Sequence, residues 1–531
     1  MAAAALLLAL GRPPFFAPAA EPSGTGDPAI MSVVTYEAFG ARGDGETDDL
    51  PAIAEAHAYA NERGLPVRAN DDATYFIGGR NLTAVIQTDT DFGAARFVID
   101  DTAVENIRAW VFEVRSALPP VRPEEVTSLE RNQPKIDVSL PHASLVIVTD
   151  RDTKRYIRRG LNQNLGSPQT DVFLMDRDGN VDPNTPILWD FDRITDIQAL
   201  PVDDVTLTVT GGRFTTIANA AESRYTYYAR GIAIRRSNVV VDGLEHRIRG
   251  EGDHGAPYSG FLHIAQCANV TARNILLTGR RTYRTIGAAG RPVSMGSYGL
   301  SVDRAVNISF VNVRQTNDIR DRRYWGIMGS NFCKNLVFDR CALSRFDAHQ
   351  GVHNATIRDS TLGHMGINLI GGGTFLVENT TVHAGTFINL RSDYGSTWDG
   401  DLILRNCTFA PGGGARVNLI GGSNDGQHDF GYPCTMPERI VIEGLRIEDA
   451  GRPEGYRGPT LFANFSPRFT DDSYEQPFPY TPTREVILKD VTTASGLPLR
   501  LSENTFMFRD VVVREGRPRQ ERGEDHGANA L

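Results

Sequence analysis

The chain has 531 residues, more than one ordinary domain of about 100–200 residues holds, so it is either several domains or one long repetitive one. Apolar residues make up 40% and charged residues 23%, as in a soluble globular chain, and no apolar run approaches the roughly 18 residues that span a bilayer, so no membrane insertion is expected. A net charge of −10 argues against a nonspecific nucleic-acid binder, which needs surplus cations to meet phosphate. Only four basic residues are lysine (Lys135, Lys154, Lys334, Lys489); the rest are arginine, the better bidentate partner for carboxylate or sulfate. Cys267, Cys333, Cys341, Cys407 and Cys434 have neither CxxC nor Cys/His zinc spacing, so neither a disulfide scaffold nor a structural zinc is expected.

In chain order, residues 1–31 form a leader. AAAALLLAL at 2–10, with Ala17-Pro18-Ala19 close behind, reads as a secretory signal with a small-residue cleavage site, although a basic start is missing and Arg12-Pro13-Pro14 interrupts. It predicts a secreted or periplasmic protein. Residues 32–103 hold a cap and the first repeats. A short strand at Val33, Val34 and Tyr36 runs into a turn at Gly43-Asp44-Gly45. Thr47, Asp48 or Asp49 then caps a helix that buries Leu50, Ile53, Ala54, His57 and Ala60 at helical spacing, and Gly64 ends it. Thr74–Gly78 resumes as strand.

The run FGARGDGETDD, the helix, and then TYFIGG resembles the opening of the pectate-lyase-like right-handed parallel β-helix superfamily, in which this helix caps the first coil. The resemblance covers about 50 residues and implies an all-β solenoid with an N-terminal capping helix. It leaves chemistry open, since lyases, hydrolases, fructan-cleaving transferases and phage tailspikes share it.

Residues 104–200 break the pattern and predict an inserted or irregular β region. DVFLMDRDGNVDPNTPILWDF (171–191) reads as a hairpin turning at Asp178-Gly179-Asn180. Asp176, Asp178, Asn180 and Asp182 alternate as calcium ligands do, but the glycine is not where an EF-hand loop needs it, so a plain turn is preferred. No cofactor is expected, with calcium the minor alternative.

Residues 201–514 supply independent support for a solenoid. Short β runs follow a small polar residue at Asn238, Asn269, Asn307, Asn335, Asn354, Thr374 and Asp401, and again at Arg439 and Glu485. The shortest intervals, 19 and 20 residues, are bare coils, and the longer ones carry loops. The five asparagines are read as a hydrogen-bonded ladder along the axis, with Cys267 and Cys333 as stacked core. The charged tail, 515–531, is expected to be disordered.

Ahead of each ladder position lies a second strand, and every second residue of it faces outward. The outward row reads His263, Ser301, Asp347 and His349, Asn368, Asn389 and Arg391, then Asn418. Asp347, His349, Arg391 and Asp393 are the candidate catalytic residues. His263, His364, Asn368, His383, Asn389, Tyr394, Trp398 and Asn418 are candidates to bind substrate, with Tyr394, Trp398, Tyr324 and Trp325 available to stack on sugar rings. Coils rise about 4.8 Å, so Asp347 and Asp393 fall about 10 Å apart, near the ~6.5–9.5 Å gap of an inverting glycosidase. Loops at 249–258, 279–297 and 315–324 are expected to wall one side. No metal is expected: His349, His364 and His383, which with Asp347 could hold one, lie on different coils without HxH spacing.

These features predict an enzyme that cleaves glycosidic bonds of a polysaccharide or oligosaccharide. Hydrolysis with Asp347 and Asp393 as acid and base is narrowly favoured. The alternatives are β-elimination from a uronic-acid polymer and a non-catalytic glycan-binding or tailspike-like protein. The pectin-hydrolase signatures of the superfamily, GHG and RxK, are absent, and the scarcity of lysine argues against a lysine-base lyase. An adhesin of the tailspike kind is expected to carry an attachment segment where this chain has its leader, which favours the enzyme. Assembly into a homo-oligomer is compatible with the fold and is not decided by any residue.

Overall fold

The computed structural model describes residues 32–326 and 328–516. The leader at 1–31 and the tail from 517 lie outside them. The described chain is a right-handed parallel β-helix capped by one α-helix, Leu50–Arg63. Each coil feeds three parallel ladders, seen in register as Val239 with Val270, Phe214 with His246, and Leu262 with Leu300. The solenoid continues through Val512–Glu515, one residue into the segment expected to be disordered.

The helix buries Leu50, Ile53, Ala56, His57 and Ala60, so Ala56 rather than Ala54 lies in the stripe. Of the nearby aspartates, Asp48 accepts the first helical N–H, from Leu50 at 3.3 Å, while Asp49 and Asp44 tie turns. Asp49 accepts the N–H groups of Arg42 and Gly43 at 2.7 and 3.1 Å, and Asp44 those of Glu46 and Thr47. These bonds fix the chain entering the first coil.

The asparagine ladder is present. Asn269 donates to Asn238 at 3.0 Å, Asn307 to Asn269 at 3.0 Å, Asn335 to Asn307 at 2.8 Å and Asn354 to Asn335 at 3.1 Å. All five have φ between 57° and 60°, a left-handed conformation that asparagine tolerates better than most residues. The same residue type thus turns the corner and ties successive corners together. The five cysteines are buried and unpaired.

The insertion interrupts the solenoid between Phe112–Arg115 and Leu207–Thr210, so residues 104–115 are still coil. Its sheet is antiparallel, with Ser144–Arg155 central between Ser167–Met175 and Asp196–Pro201. The turn at Asp176–Asn180 forms, but the main partner of Ser167–Met175 is Ser144–Arg155, not the segment after the turn. SLVIV at 144–148 reads as continuously apolar because both faces are buried. Val146 and Val148 face a small core with Phe173 and Phe191, while Leu145 and Ile147 pack on Ala268 and Val306 of the solenoid. A buried ion pair, Lys334 to Asp171 at 2.8 Å, fixes the docking. Asp176 Oδ1 accepts the N–H groups of Asp178 and Asn180, so this carboxylate serves the turn.

Candidate functional site: an arginine-bound cleft

One ladder forms the floor of a cleft of about 860 Å³. Register pairs His263 with Ser301, Ser301 with Gly329, Asp347 with Asn368, and Asn368 with Asn389, so Gly329 interrupts the polar row, and Asn368 and Asn389 do not line the cleft. Asn389 donates to Asn368 at 2.8 Å. Asn418 leaves the row. It pairs with Thr386 and Thr460, while Asn389 meets Gly421.

The four candidate catalytic residues converge. Arg391 Nη1 donates to Asp347 Oδ1 at 2.7 Å, and its Nε and Nη2 donate to Asp393 at 3.1 and 2.8 Å. The two carboxylates therefore straddle one guanidinium. Asp347 is fully buried, and Arg345 Nη2 lies 2.5 Å from its other oxygen, without the alignment of a hydrogen bond. Burial pushes the Asp347 carboxyl up, but Arg345 and Arg391 outweigh it and hold it below the usual range. Burial likewise raises Asp393, and the hydrogen bond and charge of Arg391, then Arg158, bring it below its ordinary value. Both groups are ionised at rest.

His349 shares a hydrogen bond with Asn331 through Nδ1, at 2.9 Å, and with the Tyr394 hydroxyl through Nε2, at 3.2 Å. Burial, reinforced by Arg391, lowers its pKa to about 3, so the imidazole is neutral. Burial raises the Tyr394 phenol to about 12. The side chain of Tyr394 is wholly inside the protein and supports His349; it is not a sugar platform. Trp398 is also fully buried, donating to the carbonyls of Gly373 and Asp401, and so cannot stack on a ligand. The reason is register. Trp398 continues the row of Val352 and Gly371, whose neighbours fill the solenoid interior. His364 is tied to the Tyr324 carbonyl at 3.0 Å, and neither it nor His383 lines the cleft. His263 does, sharing a hydrogen bond with Ser301 at 2.7 Å and stacking on Trp110 at 4.9 Å.

Several lining residues escaped sequence reasoning. Of the three loops expected to form a wall, 279–297 does so, folded as a hairpin, Tyr283–Ile286 with Pro292–Met295, whereas 249–258 and 315–324 do not line the cleft. The facing wall comes from the insertion, whose 156–166 connection places Arg158, Asn162 and Asn164 in the cleft. Arg158 Nε donates to Asp393 at 2.8 Å. Arg345 lines the cleft almost wholly buried, with Nε and Nη1 unpartnered among the described residues, and the buried Trp325 Nε1 is unpartnered too. Tyr298 faces the same space, and its hydroxyl has no hydrogen-bond partner among the described residues. Burial raises its pKa, with Arg345 nearby opposing. Arg345 was legible as the residue two before Asp347 on the same strand face; Arg158 had no such signal. Arg158, Arg345 and Arg391 face Asp347 and Asp393, so with neutral His349 the cluster carries one uncompensated positive charge.

No family model matches the chain. Two solved structures share its architecture. The tailspike of Pseudomonas phage phi297 aligns over 91% of this chain and 84% of its own, with 13% identity and a TM-score of 0.57. The tailspike of Acinetobacter baumannii bacteriophage AP22, solved with A. baumannii capsular saccharide, aligns over 91% and 79%, with 11% identity and a TM-score of 0.51. The fold they share with it is the parallel β-helix. In sequence, a capsule KL64-specific depolymerase of Klebsiella phage P510 is 26% identical over 179 residues. That match takes in 27% of this chain and 18% of the depolymerase, so the chain spans under a fifth of that relative's length.

Proposed function

We propose that the protein binds and cleaves an acidic polysaccharide in this cleft, and that cleavage proceeds by β-elimination. The observation that carries the reading is the charge balance of the floor: a net positive arginine cluster, with unpartnered Arg345 donors, beside a neutral imidazole and a free phenol. A sugar carboxylate set against Arg345 acidifies the neighbouring C5–H, because the guanidinium stabilises charge that develops in the transition state. At rest His349 Nδ1–H donates to the Asn331 amide oxygen, so Nε2 carries the lone pair and accepts from the Tyr394 hydroxyl. Substrate that displaces Asn331 favours the other tautomer, in which Nε2–H is given to the Tyr394 oxygen and the freed Nδ1 lone pair takes the C5 proton. The C4–O bond then breaks as the C4–C5 double bond forms, and Tyr298 delivers its proton to the leaving oxygen. The AP22 tailspike, solved with a capsular saccharide, and the capsule-specific KL64 depolymerase support a capsular glycan as substrate class.

Hydrolysis by Asp347 and Asp393 is less well supported, because a general acid must hold a proton and both carboxyls are ion-paired. Incubation with a panel of acidic capsular polysaccharides and uronic-acid polymers tests the reading. New ultraviolet absorbance of unsaturated ends is expected. New reducing ends without that absorbance would establish hydrolysis, and binding without cleavage would establish a glycan-binding protein.

A further inference from the structure

A second cavity, of about 240 Å³, lies between the insertion and the solenoid. It does not share the cleft's floor. Register sets Lys334 beside His353, His353 beside Gly372, and Gly372 beside Asp399, a row on a different face of the coil. Gly372 makes a notch in that row, since a Cβ there would stand 2.6 Å from the Asp399 carbonyl oxygen. Trp189 of the insertion also lines the cavity, and Tyr432 adds a second ring. The indole carries Arg155 over its ring at 4.5 Å, an interaction that holds it in place.

The polar groups are set around this aromatic ring. Lys334 is 1% exposed, bound to Asp171 and the Pro186 carbonyl, and its third N–H has no acceptor among the described residues. The His353 side chain makes no hydrogen bond among the described residues and lines the cavity. Asp399 lines it as well, held at 3.4 Å by Arg131 from the insertion. The volume lies just under the roughly 300–1,000 Å³ of small-molecule sites, which suits a single ring. An aromatic surface with donors and acceptors around it matches a pyranose, whose C–H face is apolar and whose rim is hydroxyls.

We propose that this cavity is a second carbohydrate site that takes one neutral hexopyranose unit, packed on Trp189 with hydroxyls to His353, Asp399 and Lys334. It is separated from the cleft by the Tyr156–Arg158 segment, since Tyr156 lines the cavity and Arg158 the cleft. Its occupancy does not require that the cleft cleave anything, so the two proposals fail separately.

The test uses the full chain and a panel of methyl α- and β-hexopyranosides of glucose, galactose and mannose, read by saturation-transfer NMR and calorimetry. At least one glycoside is expected to bind. Trp189→Ala and His353→Ala should each weaken it by roughly tenfold or more, whereas Arg345→Ala in the cleft leaves it unchanged. Trp189→Phe, which keeps an aromatic ring, serves if the alanine variant melts early, and is expected to retain partial binding. Absence of binding by every glycoside overturns the site, as does binding that survives both Trp189→Ala and His353→Ala at full strength or that is lost with Arg345→Ala.

Discussion

Arg158 and Asp393 stand 235 positions apart in the chain and are joined by a 2.8 Å hydrogen bond. One belongs to the insertion and the other to the solenoid, so the candidate site is completed only when the two pack together. The connection is reinforced by main-chain bonds from Ile157 to Phe430 and from Arg159 to Asp393. Arg158→Ala should therefore lower kcat/KM by roughly ten- to a hundredfold, in line with a lost charged hydrogen bond of about 1.5–3 kcal/mol. Asp393 keeps Arg391, so the melting temperature should move little. Steady-state kinetics beside a thermal melt checks both parts.

Asp347→Asn acts differently. It leaves Arg345 and Arg391 facing a neutral amide in a fully buried place. Removing one partner of a buried ion pair costs about 3–5 kcal/mol. A clear loss of stability on denaturant unfolding is expected, and unchanged stability would show that water reaches the cluster.

The proposed proton carriers give a sharper test. Tyr298→Phe and His349→Gln should each reduce kcat by roughly 10²–10⁴, the usual share of general acid–base catalysis. Among the described residues the Tyr298 hydroxyl has no hydrogen bond to lose, so its phenylalanine variant should fold as the wild type does. Full activity in Tyr298→Phe, measured on any confirmed substrate, removes it from the mechanism.

Acid should destabilise the fold in two overlapping windows. Burial lowers His57, His263 and His349 each to about 3, and His246 further, below the ~6.5 of an unfolded histidine. As pH falls below that value the unfolded chain takes up protons that the folded one refuses, so stability drops with acid. His57 alone, fully buried, contributes about 2 kcal/mol of loss near pH 5. Asp347 and Asp393, lowered, add a second loss below about pH 4. Asp101, raised to about 6 by burial against the pull of Arg230, works the other way, as do Asp49 and Glu251, both raised by burial, but these three oppose six. Melting temperature should fall steadily from pH 7 to 4.

In the ladder, Asn307→Ala should cost more than Asn307→Gly. Alanine loses the bonds to Asn269 and Asn335 and must also hold φ of 57°. Glycine loses the same bonds but adopts that φ freely. A difference of about 1 kcal/mol between the variants is expected from the left-handed penalty.

The solenoid was legible because its causes are local and repeated. Asparagine at each corner, alternating apolar strands and the capped helix at 50–63 each signal themselves within a few residues, and stacking then follows from their period. The row from His263 to Asn389, interrupted at Gly329, was legible for the same reason, and it failed at Asn418, where loop length shifts the register.

What the sequence alone determined is therefore the architecture, the capping helix, the ladder and the gathering of Asp347, His349, Arg391 and Asp393. Tertiary structure decided their protonation and their neighbours. Two carboxylates that look like an acid–base pair along the chain become ionised partners of one guanidinium, because burial and two arginines act on them at once. Trp398 turns inward, and Arg158 arrives from an insertion whose docking depends on Leu145, Ile147 and the Lys334–Asp171 pair. Such contacts join distant segments, and no local periodicity carries them.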